Sequence, residues 1–337
     1  MPTTFTVCLR SFAELLQTKA AGVSDFLAGK LCASGLSDEA LEQVLALTLG
    51  IRDTRSATMT LFREAGVSHV MALSGLHLTV FCLFLALFVY PVRRVMGPFW
   101  LRLAMMLLVV ALVWGYVLVA GCPMSMVRAA AMFSVAIAGA LFYWHMTLLQ
   151  VWTLAVMLIL TLSPRSLTDV GFQLSSMATL GIATFGALKS RWEGNVLWMW
   201  LRIGFWCQVF TLPLVAHYFG TFVPHAVFTS LFVSSYTTVV LLFCFALLAA
   251  LLVGFTPLSS FLALSISGLL DFQTTLLRLI TSVASPVSGL RFSWWCVFLY
   301  YASLASLYLY LYAGERERGR HVNASEELTE RPNPPQP

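Results

Sequence analysis

Long apolar runs, separated by short polar or Gly/Pro breaks, fill the chain from about residue 70 to residue 312. A run of roughly 20 apolar residues crosses about 30 Å of hydrocarbon as a helix. The pattern predicts spans over 70–90, 99–119, 126–143, a short one over 148–162, one from Gly171 to just before Lys189, then 196–218, 226–253 and 294–312. Breaks fall at Pro91, at Gly97-Pro98, at Gly121-Cys122-Pro123, at Ser163-Pro164 and at Pro224. Residues 258–283 carry Asp271, Gln273 and Arg278 among leucines, a mixture expected of an amphipathic interfacial helix.

The first 65 residues have a different pattern. Leu41, Val44, Leu45, Leu47 and Leu49 give part of a helical stripe, with Asp38, Glu39 and Glu42 on the other side and Ser37 placed as an N-cap. Leu61 and Phe62 precede Arg63 and Glu64 in a second short helix. Both are too polar to span, and the expectation is an amphipathic segment on the membrane surface with its apolar face down. At the other end, residues 314–337 are polar, contain Pro-Asn-Pro-Pro, and are expected to be a disordered tail. The fold class is therefore an all-α polytopic membrane protein: a bundle of about eight transmembrane helices (66–313) with surface amphipathic helices (1–65).

Composition agrees. Of 337 residues, 59% are hydrophobic and 10% charged, whereas soluble domains carry about 25% charged residues. The net charge of +5 reflects an excess of Lys and Arg that cytoplasmic loops ordinarily hold. Arg93, Arg94 and Arg102 cluster between the first two spans, and Lys189, Arg191 and Arg202 between the fifth and sixth. With both loops cytoplasmic, residues 1–65 lie outside. The tail then lies outside if 258–283 is interfacial, and inside if it spans. The seven cysteines form no Cys-x-x-Cys pair, which argues against a zinc site or a disulfide framework.

Candidate chemistry concentrates at the mouths of spans. Gly66 to His77 (GVSHVMALSGLH) puts His69, Ser74, Gly75 and His77 at the start of the first apolar run. Polar groups there need a partner, a wet cavity or a function. Ser74 and His77 are three apart, on one helical face, with His69 eight residues before His77. A hydrolytic pair would need an acid and a nucleophile elbow, and neither motif is present. Hydrogen bonds closing a helix break, or the polar lining of a conduction path, remain open. Ser125 and Arg128 open the third span, where the guanidinium reaches headgroups, a phosphate backbone or an internal carboxylate. Asp169 and Gln173 open the fifth, with Ser175 and Ser176 next. Asp169 reads as an N-cap or as a partner of Arg128. Gln208, Thr211, Pro213 and His217 share the sixth span, which Pro213 kinks. Small residues in the third span (Ala129 to Ala131, Ala136, Ala138 to Ala140) and fifth span (Ala178, Gly181, Ala183, Gly186) place those helices at the bundle centre. No P-loop or metal-ligand signature occurs, so no cofactor and no metal are expected.

In this order, the motifs resemble those of the ComEC-type competence family. The matching stretches are Ala65 to His77, Tyr116 to Ala129, Pro164 to Ser175, Gln208 to Pro213, and Phe219-Gly220, so the resemblance covers residues 45–312. It implies an inner-membrane channel that passes single-stranded DNA into a bacterium during natural transformation, with a cytoplasmic helicase or translocase as motor. The path candidates are His69, Ser74, Gly75, His77, Ser125, Arg128, Asp169, Gln173, Ser175 and Gln208. Arg52, Arg55 and Arg63 are placed outside as an entrance surface or a solvated helix face. The family commonly carries an OB-like domain and a metallo-β-lactamase-like domain. Neither fits in this chain, so separate partner chains are expected to supply them, with a homo-oligomer as a further arrangement. The family's Asn-Leu segment is replaced here by Val227 to Ser235. The expectation is a non-enzyme. The alternatives are a small-anion carrier, a membrane-embedded Ser/His enzyme, or a degenerate remnant of the channel.

Overall fold

The break before the first long span is real and sits a few residues further in than the hydrophobic pattern predicts. A one-turn helix, α4 (Ser68–Met71), ends at Ala72 in extended backbone, and α5 (Gly75–Val95) starts afresh. The computed structural model describes residues 4–95, 99–184, 196–222, 226–283, 287–288 and 292–329. Gly97-Pro98, Lys189, Arg191, Pro224 and residues 330–337 lie outside them.

Ahead of this break lie α1 (Thr4–Cys32), α2 (Asp38–Leu49) and α3 (Ala57–Glu64). Ser37 caps α2 by accepting from the Ala40 N–H, and Ser56 caps α3 by accepting from the Met59 N–H. The helix α1 runs through Glu14, Lys19, Asp25 and Lys30, charged residues that suit a helix in water rather than a span. Among its described side chains Ala20, Ser24 and Leu31 are buried, at helical spacing.

After α5 come α6 (Phe99–Val119), α7 (Met124–Leu141), α8 (Leu148–Leu162), a 3₁₀ turn (Pro164–Thr168), α9 (Val170–Thr184), α10 (Val196–Phe219), α11 (Ala226–Val253), α12 (Thr256–Val283) and α13 (Trp294–Thr329). The α6–α7 turn uses two successive left-handed residues, Gly121 at φ 79° and Cys122 at φ 56°. Glycine tolerates that conformation, and Pro123 then supplies the N-cap position of α7.

Among the described residues four stretches are long and apolar enough to cross a membrane: Met124–Leu141, Phe228–Val253, Thr256–Ser282 and Trp294–Leu311. Shorter apolar stretches occupy Gly75–Phe88, Leu103–Val119 and Leu148–Leu162. Leu154, Met157, Leu158 and Leu162 of α8, and Trp295, Phe298 and Leu299 of α13, are exposed. Apolar side chains in such rows need lipid as their solvent, and the chain is a helical membrane protein.

Two helices refine the expectations here. Residues 256–283, expected to be interfacial or to span, form one continuous 28-residue helix that is long and apolar enough over Thr256–Ser282 to cross a membrane. Two short strands, β1 (Thr221–Phe222) and β2 (Val287–Ser288), pair antiparallel and bring the end of α12 beside the end of α10. Helix α11 starts from that end, and α12 returns to it. Of the polar residues of α12, Gln273 is buried and donates to Thr237 Oγ1 on α11 at 3.1 Å, while Asp271 and Arg278 stay exposed. Second, α13 continues to Thr329, through residues expected to be disordered. Glu315, Arg316, Glu317 and Arg318 are strong helix formers, so the helix propagates out of its apolar part.

The largest core joins the N-terminal helices to α11 and α12. Val44, Leu47, Phe62, Val70 and Met71 pack with Val240, Leu241, Leu247, Ile266 and Leu270, all nearly fully buried. The apolar stripe of α2 thus meets protein rather than lying on lipid. The Tyr116 hydroxyl of α6 donates to the Thr48 carbonyl at 3.0 Å and fixes α2 from the other side. Three smaller cores carry on from α5–α6–α7 to α7–α8–α9 and to α10–α13.

Candidate functional site

The polar residues at the mouth are built from the α4–α5 break outward. Ser74 stands at the N-cap of α5, and its Oγ accepts from the Leu76 N–H at 3.3 Å. The His77 Nδ1 lies 3.2 Å from the Ser74 backbone N–H, which donates to it, and 3.1 Å from Ser74 Oγ. This is a capping box with histidine in the position that Glu or Gln usually takes. Because Nδ1 accepts, the neutral ring carries its proton on Nε2. His77 is fully buried, and Nε2 has no partner among the described residues. The Leu73 carbonyl, freed by the break, accepts from Ser125 Oγ of α7 at 2.7 Å. Gly75 lets the two helices close: a Cβ there would stand 3.4 Å from the Ala129 Cβ.

Arg128, one turn into α7, is 4% exposed. Its Nε donates to Ser175 Oγ of α9 at 3.0 Å, Nη2 donates to the same oxygen, and Nη1 reaches Met132 Sδ at 2.9 Å. The arginine therefore turns inward to α9 rather than out to headgroups. It does not pair with Asp169, whose exposed carboxylate accepts from the Phe172 N–H at 2.7 Å and caps α9. Free N–H groups at a helix start compete well for a solvent-exposed carboxylate.

Gln173 belongs to a second group. Its Nε2 donates to the Leu167 carbonyl at 2.8 Å, and its Oε1 accepts from the Tyr218 hydroxyl at 2.9 Å. His217 Nδ1 donates to the Phe292 carbonyl at 2.7 Å, and its ring lies 4.1 Å from that of Trp294. These contacts tie the starts of α9 and α13 to the end of α10. Gln208 is a third, smaller link, its Nε2 donating to Ser230 Oγ of α11 at 2.9 Å.

The structure thus brings Ser74, Gly75, His77, Ser125, Arg128 and Ser175 together across α5, α7 and α9. It separates them from Asp169 and Gln173, and from Gln208. His69 is exposed and joins none of these groups. Its eight-residue spacing from His77 crosses the break, so the two do not share a helical face.

Sequence reasoning missed Tyr300 and Tyr301. Pro213 has no N–H, so the Val209 carbonyl four residues earlier loses its helical donor, and the ring strains the next bond. The Tyr300 hydroxyl donates to the Val209 carbonyl at 3.0 Å, and the Tyr301 hydroxyl to the Phe210 carbonyl at 2.6 Å. The available signal was the proline itself, which requires outside donors for carbonyls at depth.

A family model described as "Competence protein" matches residues 47–314, from within α2 to the apolar part of α13. A curated relative, ComE operon protein 3 of Bacillus subtilis (strain 168), is 26% identical over 182 residues, which are 53% of this chain and 22% of that protein. The match therefore spans about a fifth of the relative's own length. No solved structure matches the chain. With the family model covering most of its length, the chain belongs to the competence protein family.

Proposed function

We propose that the chain is a multi-pass channel of the bacterial inner membrane that passes single-stranded DNA into the cell during natural transformation. The observation that carries this reading is the family match over residues 47–314. The geometry supports it. A strand in transit carries one negative charge per nucleotide and must bind well enough to enter and weakly enough to leave. The junction of α5, α7 and α9 offers neutral hydroxyls, one imidazole and a single guanidinium rather than a dense basic groove. The proposed path runs along this junction and continues past Gln173 and Gln208 on α9 and α10.

In this reading α5 to α13 are nine crossings, because α12 returns to the end from which α11 starts. The N-terminal helices lie outside, and α13 ends in the cytoplasm. The chain performs no covalent chemistry. A cytoplasmic helicase or translocase supplies the force.

Uptake of labelled DNA in a naturally transformable host tests the proposal. Deleting this gene should abolish entry into the cytoplasm. Arg128→Ala and Gln173→Ala variants that insert at wild-type levels should reduce it. Normal uptake in the deletion strain would overturn the reading.

A further inference from the structure

Arg128 is a buried cation whose partners are all neutral, namely Ser175 Oγ and Met132 Sδ. Among the described residues no carboxylate faces it. Holding a guanidinium in a low-dielectric interior without a counter-charge is unfavourable, and two neutral acceptors offset that only in part. A second positive feature lies against it. Nη2 is 3.9 Å from where a Cβ on Gly75 would stand, at the first residue of α5. The start of a 21-residue helix carries the positive end of its dipole. Two residues on, the buried His77 Nε2–H is a donor without an acceptor among the described residues. The Arg128 guanidinium and the positive end of α5 meet at this junction, and no described residue brings a negative group to it.

From this convergence we infer that Arg128, at the start of α5, recognises a single phosphodiester of the nucleic-acid strand, and that Ser175 holds the guanidinium between contacts. The inference rests on the channel reading above and adds a chemical subsite to it. A guanidinium binds a phosphate through two parallel N–H groups, here those now donated to Ser175 Oγ. The serine competes for the same N–H groups, so the phosphate is released rather than trapped. A lipid headgroup has the same chemistry, and the test below separates the two sources.

The test uses the full chain in nanodiscs of zwitterionic lipid, with a fluorescent oligothymidylate titrated at several salt concentrations. Each phosphate contact on a single strand adds about 0.7 to the slope of log affinity against log salt. Arg128→Gln should lower the slope by about 0.7, and Arg128→Lys, which keeps the charge, should retain it. Ser175→Ala should keep the slope and tighten binding roughly tenfold or more, the worth of a hydrogen bond with a charged group. A purely structural arginine would shift affinity or stability with no change of slope, and an unchanged slope in Arg128→Gln overturns the subsite while leaving the channel standing. No binding by the wild-type chain at any salt concentration overturns the channel reading itself. Anionic phosphatidylglycerol nanodiscs form the second arm. Loss of the slope difference there assigns the phosphate to lipid and overturns the strand assignment.

Discussion

Pro213 and Tyr300 make a two-residue argument that a mutant cycle can decide. The proline leaves the Val209 carbonyl without a helical donor, and the Tyr300 hydroxyl of α13 supplies one at 3.0 Å. Tyr300→Phe removes one neutral hydrogen bond and almost no volume. Its cost should be about 0.5–1.5 kcal/mol by the general scale, and bonds between membrane helices average about 0.6 kcal/mol with a maximum near 1.7. Pro213→Ala restores a backbone N–H at position 213, which bonds the Val209 carbonyl within α10 and makes the hydroxyl redundant. The same Tyr300→Phe change should then cost close to zero, giving a coupling energy of about 0.6–1.5 kcal/mol, above the additivity error of about 0.3–0.5. Reversible unfolding in mixed SDS–detergent micelles, followed by helical circular dichroism, measures all four corners. An equal cost of Tyr300→Phe in both backgrounds would refute the claim that the tyrosine serves the proline.

Other consequences follow from the same contacts. Ser74→Ala should destabilise the start of α5 by about 0.5–2 kcal/mol as a lost N-cap, while His77→Gln, which keeps an acceptor in the capping box, stays within a few tenths; amide hydrogen exchange over residues 74–77 reads both. Asp169→Asn should match wild type and Asp169→Ala lose about 1 kcal/mol, and a swap of Arg128→Asp with Asp169→Arg should rescue nothing in a DNA-uptake assay, because no ion pair exists to restore. Gly181→Ala puts a Cβ within 2.7 Å of the Phe210 ring and 2.9 Å of the Trp206 carbonyl, so it should be less stable than Gly115→Ala, which meets nothing within 4 Å, by about 1–3 kcal/mol in the same micelle assay. A topology reporter fused after residue 329 should be active on the cytoplasmic face, and periplasmic activity would show that α12 does not cross.

What the sequence disclosed divides by range along the chain. Local signals were reliable: Ser37 and Asp169 cap the helices they precede, and Gly121-Cys122-Pro123 makes the turn that its composition demands. The hydrogen bonds expected to close the break at Ser74 and His77 are present. Contacts between helices left no trace in spacing. Nothing in the sequence joins Arg128 to Ser175, 47 residues away, in preference to Asp169, 41 away; the choice depends on how α7 and α9 rotate against each other. Helix α1 was not placed individually, because the buried positions among its described side chains, Ala20, Ser24 and Leu31, are too few and too mixed to make an apolar stripe. On α12 the surroundings of Gln273 were not legible, because a polar group buried against another helix has the same composition as one facing water. Only the partner, Thr237 for Gln273, separates the two cases.

The union of α2–α4 with α11 and α12 sets an order on biosynthesis. Leu47, Phe62 and Met71 leave the ribosome well over 150 residues before Val240 and Leu241, yet in the finished protein they are covered by those later helices. During that interval the N-terminal segment holds an apolar face with no protein to cover it. Large membrane chains are prone to aggregate while such faces wait. The bilayer surface is the one apolar phase at hand, so an amphipathic segment that rests on lipid first and moves onto α11 and α12 later needs no chaperone of its own. A chain cut after α10 would keep that segment in its waiting state, and should be recovered as a protease-sensitive N-terminus on an otherwise inserted bundle.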